Sequence, residues 1–293
     1  MKIGVIYPQT ELQGDPAAVR AIGLAVEELG FDHLLAYDHV LGAHHDRDPA
    51  PNGPYTDQHP FHDPFVMFGY LAAITRRIEL VTGVLILPQR QTALAARQAA
   101  DVDLLSDGRL RLGVGIGWNY VEYDALGQDF STRGKRMGEQ VELLRALWSQ
   151  PVVDFTGASD RIDRATLNPR PRRPIPIWMG GFSEPALRRA ARIADGFIFA
   201  DGASDAPALL ARLRELLADE GRDAGRFGLQ CNMLTAKGTE AVVAGARRWR
   251  DLGGSHAAIN TMGQGFATID AHLGYLRAAA DALRAADLLG EVA

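Results

Sequence analysis

Short apolar runs alternate along this chain with longer stretches of helical periodicity. Residues 3–7 form the first apolar run, which Pro8 ends. Asp15-Pro16 then supplies an N-cap followed by proline at the first helical position, opening a helix through Leu29 that Gly30 stops. The unit recurs. Strands are predicted at 33–36, 78–87, 110–114, 175–179, 196–200, 227–233 and 257–259. Helices are predicted at 64–75, 92–105 and 132–148, from Ser183 onward, and at 206–217 and 269–289. In the segment 132–148, Met137, Val141, Leu144 and Trp148 recur near helical spacing. Eight strand-then-helix alternations in one chain, with no linker between them, predict an α/β fold: a (β/α)8 TIM barrel, one domain over residues 1–293. A doubly wound open sheet is the second reading.

In such a barrel, active sites sit at the C-terminal ends of the strands. Two connections leaving strands are unusually long, 37–63 after strand two and 115–174 after strand four. The first carries His39, His44, His45, His59 and His62 among several aspartates. A barrel hydrolase would instead fix metal ligands on several strand ends, typically with His-x-His on the first. Here strand one ends Tyr7-Pro8-Gln9-Thr10, so no metal is expected, and His44 and His45 read as solvated loop residues. Asp38-His39 stands directly at the end of strand two. A carboxylate beside an imidazole can set its tautomer for proton transfer near neutral pH.

Gly113, Gly115 and Gly117 follow a G-x-G-x-G spacing, not the dinucleotide fingerprint. They offer close backbone approach and room for a flat ring, with Trp118 either an aromatic wall or a core plug. Residues 178–185 place a Gly-Gly turn before a helix start, which is either an anion site or an ordinary βα turn. Tyr7, Gln9, Tyr55, His59 and Asn232 are candidates to line the mouth.

Composition narrows the partners. With 31 Lys+Arg against 36 Asp+Glu, a net charge of −5 and no basic block, nucleic acid is excluded as a partner. A single cysteine, Cys231, excludes an intramolecular disulfide and a multi-cysteine metal site. No run approaches the ~18 apolar residues of a membrane span, and the N-terminus lacks the pattern of a signal peptide. A cytoplasmic enzyme acting on a small molecule is the expectation.

Ordered motifs then point to a family. AVEELGFD (25–32), Asp38-His39, TGVLILP (82–88), DLLSDGRLRLGVGIGW (103–118), Ala125-Leu126-Gly127, the segment 133–148, PRPRRPIPIWMGG (169–181) and LRRAARIADG (187–196) span nearly the whole chain. Together they resemble the luciferase-like monooxygenase family, in its branch of oxidoreductases that use the deazaflavin coenzyme F-420 (F420). The resemblance implies hydride transfer between that coenzyme and a small organic substrate. Its alternatives are an FMN-dependent monooxygenase fed by a separate cofactor reductase, or a non-catalytic protein that binds flavin or deazaflavin. A homodimer is implied as well.

Carried residue by residue, the resemblance makes Gly83-Val84 a non-proline cis peptide that bulges against the cofactor ring. Gly117 and Trp118 would border the ring or its side chain. Gly180, Gly181 and Phe182 would offer backbone N–H groups to the cofactor phosphate. His39, with Asp38 beside it, would face the reacting carbon, while Arg133, Arg136 and Glu139 would be structural. Ala36-Tyr37 stands where many relatives have a tryptophan, and 154–160 replaces a Phe-x-Gly-x-Phe/Tyr hairpin. Both departures fall on the substrate side, so no known substrate carries over.

Overall fold

The computed structural model describes residues 1–50 and 53–290, and in it the eight predicted strands close on themselves. Residues 51–52 of the long connection and 291–293 at the end of the expected domain lie outside the described residues. β1 (Lys2–Ile6) pairs with β2 (His33–Ala36), and β2 with β3 (Glu79–Thr82), which resumes after two residues as β4 (Leu85–Ile86). β3 and β4 both pair with β5 (Leu110–Gly115). β6 (Val153–Thr156) and β7 (Arg161–Ala165) form a separate antiparallel hairpin. The ring continues through β8 (Ile177–Gly180), β9 (Gly196–Ala200), β10 (Gly228–Met233) and β11 (His256–Asn260), which returns to β1. All pairings of the ring are parallel, so the fold is the expected barrel and not an open sheet.

The helices are α1 (Pro16–Glu28), α2 (Pro64–Ile74), α3 (Thr92–Leu105), α4 (Tyr120–Ala125), α5 (Arg133–Ser149), α6 (Glu184–Ile193), α7 (Ala206–Asp219), α8 (Thr239–Asp251) and α9 (Ile269–Ala285). Their starts follow local chemistry. Asp15 accepts from the Ala17 N–H, and Asp63 from those of Phe65 and Val66, each ahead of a proline at the first helical position. The predicted strand 78–87 breaks at Gly83-Val84, and the last helix ends earlier than predicted. Short α4 and the hairpin have no period long enough to predict. The hairpin is held from outside itself, because Glu139 of α5 accepts N–H groups from Ala158, Ser159 and Asp160. Among the described residues no helix is long and apolar enough to cross a membrane.

The lower half of the barrel is packed solid by polar and aromatic groups. Gly4 leaves room for His33, while Gly196 and Gly228 leave room for Trp178. Arg111 lies 4.3 Å over the Trp178 ring and donates to Gln230 (2.7 Å) and Glu79 (3.3 Å). Burial, reinforced by Arg111, holds His33 well below the usual histidine range and His256 down at about 2. Both are therefore neutral in the fold, and the unfolded chain, with histidine near ~6.5, binds more protons than the native state below that pH. Stability from this pair is fully present above pH ~6.5 and is lost as pH falls toward the folded values. The urea midpoint is expected to drop on acidification from about pH 6.5 to 4, and His256→Gln to flatten that drop. An equally steep profile in the variant would remove His256 as a cause.

Candidate active site

Strand alternation decides what faces the open end of the barrel. Leu35 faces the interior with Ile6, Val81 and Ala258, and Tyr37 packs on the same cluster. His39 continues this inward set, so Asp38 between them must face the other way. Its carboxylate takes the Ile86 N–H (2.8 Å) and the Arg90 guanidinium (2.6 Å), and Arg90 also reaches Asp63 (3.0 Å). Burial lifts the Asp38 carboxyl above its ordinary range, with Arg90 opposing that shift. The expected Asp38–His39 pairing is thus corrected: consecutive residues of an extended chain project to opposite sides.

The carboxylate that meets His39 comes from Glu122 of α4, almost wholly buried, with Oε2 3.3 Å from Nδ1. Glu122 Oε1 accepts the backbone N–H groups of Val40 (2.5 Å) and Leu41 (3.1 Å). A carboxylate that accepts from two backbone donors is an acceptor toward the ring as well. We therefore assign the ring hydrogen to Nδ1, leaving Nε2 to work. Sequence reasoning missed Glu122, and the only local signal was a glutamate in the first turn of α4, after the Asn119 cap.

Around His39 stand Phe61, Tyr55 and Trp118, with ring centroids 4.7, 5.4 and 5.4 Å away. Burial pushes the Tyr55 hydroxyl up to about 12, so it stays a neutral phenol. Trp118 is partly exposed at the mouth and belongs to neither apolar core cluster. The backbone of Gly53 lies against its ring, leaving no room for a Cβ. His59 packs edge-on to Tyr55, its Nδ1 accepting from the Thr56 N–H.

The alternating glycines have a packing cause within the barrel. A Cβ on Gly113 would strike the Thr82 carbonyl, one on Gly115 the Val84 side chain, and one on Gly117 (φ +62°) Ile86 at 2.8 Å. Gly113, Gly115 and Gly117 are thus required by residues 82–86 packing against the strand β5 and its exit. Val84 also takes the space beside Gly180, where a Cβ would lie 2.9 Å from it, and the Gly83-Val84 peptide is cis.

At the start of α6 the backbone N–H groups of Gly181, Phe182, Ser183 and Glu184 donate to no group among the described residues. Glu184 turns its carboxylate to Arg188 (2.7 Å) and Arg212 (2.8 Å), away from that row. Free donors at a helix N-terminus beside glycines suit a phosphate. The half-open aromatic mouth above an apolar floor suits a ring, so the residues present fit a flavin-type cofactor. Three other expected residues make contacts of their own. Tyr7 packs with the outer core, and Gln9 holds the Tyr37 N–H. Asn232 accepts from Gln230 inside the barrel.

His44, His45 and Asp57 lie together on the exposed loop. The Asp46 N–H donates to His44 Nδ1, which leaves hydrogen on Nε2, toward Asp57, where a metal would need a lone pair. A groove of about 770 Å³ between α5, the hairpin and α6 lies outside the barrel and is lined by mixed charges, including Lys135, Glu142 and Arg192. It brings together none of these groups.

The family model described as luciferase-like monooxygenase matches residues 1–292. The chain belongs to that family. An F420-dependent glucose-6-phosphate dehydrogenase of Nakamurella multipartita is 32% identical over 222 residues, 74% of this chain and 62% of that protein. Pyrimidine monooxygenase RutA of Variovorax paradoxus is 30% identical over 210 residues, 68% of this chain and 56% of that protein. The match thus spans less than two thirds of either relative. A solved F420-dependent secondary alcohol dehydrogenase, in complex with an F420-acetone adduct, superposes with a TM-score of 0.77. The match covers 97% of this chain and 99% of that one at 18% identity, which shows the shared barrel. Members of this luciferase-like family are oxidoreductases, F420-dependent dehydrogenases and monooxygenases among them.

Proposed function

We propose that this luciferase-like protein is an F420-dependent oxidoreductase in which hydride passes between the deazaflavin and a small organic substrate. The observation that carries the reading is His39, its Nδ1 set by Glu122 and its Nε2 left for substrate at the barrel mouth. When bound, the deazaflavin supplies a carbon at ring position 5 that accepts or donates hydride and has little chemistry with dioxygen. Gly180, Gly181 and Phe182 would hold its phosphate, with Gly83, Val84, Gly117 and Trp118 bordering its ring. Neutral His39 takes the hydroxyl proton of an alcohol, or protonated His39 gives one to a carbonyl. Asp38 is a positioning residue: by holding Arg90 and the Ile86 N–H it fixes the chain end that carries His39. The reading takes residues 1–293 as one domain working in the cytoplasm.

A second reading, FMN-dependent monooxygenation with a reductase partner, is favoured by the similarity to RutA. Titration with oxidised F420 and, separately, with FMN tests the choice by fluorescence. Tight F420 binding with weak FMN binding is expected. The opposite preference would move the reading to the monooxygenase, and binding of neither would sink both.

We also propose a homodimer through α2 and α3. α2 is apolar nearly all round, and Val66 (72% exposed), Tyr70 and, on the neighbouring α3, Leu94 are left open to solvent. Exposed apolar residues clustered on packed helices mark association surfaces. Light scattering is expected to give twice the chain mass for the protein and one chain mass for Val66→Glu/Leu94→Glu. A monomeric parent would remove the proposal.

A further inference from the structure

Resting on the F420 reading, we infer that the site takes a neutral, apolar-bodied alcohol or carbonyl compound and not a phosphorylated or carboxylated one. The floor under His39 is Ile6, Leu35, Val81 and Ala258, with Tyr37, Leu234 and Met262 packed on it. Its walls are Tyr55, Phe61 and Trp118. On the β10–β11 side this floor carries the amides of Asn232, in register with Ala258, and Asn260, in register with Ile6, while the other faces are hydrocarbon and aromatic.

Most charged groups of the surrounding loops already face a partner. Arg90 is shared by Asp38 and Asp63, and Arg47 lies over the Tyr120 ring. Asp57 faces His44, His45 and Gln58, while Glu122 holds His39 and two backbone N–H groups. Asn260, at the end of β11, spends its amide on the Met262 backbone. A phosphate or carboxylate placed here would lose its water with neither Arg90 nor any other paired arginine free to meet it, a cost that apolar contact does not offset. An apolar body instead gains from the hydrocarbon and aromatic faces, and its single hydroxyl or carbonyl oxygen meets Nε2 of His39.

In the oxidative direction the carbinol C–H bond breaks and its electron pair leaves as hydride to the oxidised deazaflavin, which is reduced. The O–H bond breaks, its proton passes to Nε2, and the carbon–oxygen double bond forms. Lys237, exposed on the turn that follows β10, is one cation that an anionic substrate would have to recruit.

The test compares 1-phenylethanol and cyclohexanol with glucose 6-phosphate and lactate. F420 binding is measured first, because its failure would sink the F420 reading itself and not the substrate class. With F420 bound, kcat/KM for the neutral alcohols is expected to exceed that for the anions by at least ~100-fold. Calorimetry with acetophenone, without turnover, should show saturable binding that Phe61→Arg weakens about tenfold or more. Lys237→Ala is expected to leave oxidation of the neutral alcohols unchanged. Preference for the anions, their loss in Lys237→Ala, or absence of acetophenone binding would each overturn the inference.

Discussion

His39→Asn is expected to lower turnover with F420 by about 100- to 10,000-fold, the usual contribution of one general acid or base, while F420 affinity changes little. The asparagine amide retains a donor toward Glu122, so the carboxylate keeps its acceptor role to Val40 and Leu41 and the turn after β2 is preserved. What disappears is the second ring nitrogen, the atom that takes or returns the substrate's proton. Fluorescence titration gives the affinity, and the absorbance of F420 under single-turnover conditions gives the rate. Turnover within a few-fold of the parent would take His39 out of the catalytic role.

Glu122→Gln separates positioning from chemistry. Its carbonyl oxygen can still accept from Val40 and Leu41, but its amide then faces Nδ1 as a donor and favours the opposite tautomer. Alcohol oxidation is expected to fall with a changed pH profile and an unchanged melting temperature. A parallel loss of melting temperature would instead mark Glu122 as purely structural.

The largest effect on stability is expected for Arg90→Ala, at about 3–5 kcal/mol, the range for removing one partner from a buried ion pair. Asp38 has no exposed side-chain surface, and without Arg90 only the Ile86 N–H remains to compensate its charge. Asp63 still caps α2, so the loss falls mainly on the Asp38 side. Adding Asp38→Asn should recover part of the stability, because a neutral amide is cheaper to bury than an unpaired carboxylate. Urea denaturation of both variants reads this directly, and a loss below about 1 kcal/mol in Arg90→Ala would place the pair among weakly coupled surface contacts.

The barrel was legible in the chain itself because each of its units is local. An apolar run long enough for one strand, a capping aspartate, proline at the first helical position and a helical stripe all act within a few residues. Asp15-Pro16 and Asp63-Pro64 cap their helices as their spacing demands. His39 was legible for the same reason, as a histidine three residues beyond a strand whose exit faces the barrel mouth.

The partners of these residues were decided by tertiary structure. Period-two alternation was enough to separate Asp38 from His39, but not to show that Arg90, 52 residues away, would take the carboxylate. Nor could it show that Glu122, 83 residues from His39, would replace it. Gly113 and Gly115 look alike as open backbone in the sequence, yet their missing Cβ atoms are required by Thr82 and Val84 on the adjoining strand. Local rules place a side chain on a face. What it touches there depends on residues that meet it only once the ring of strands has closed.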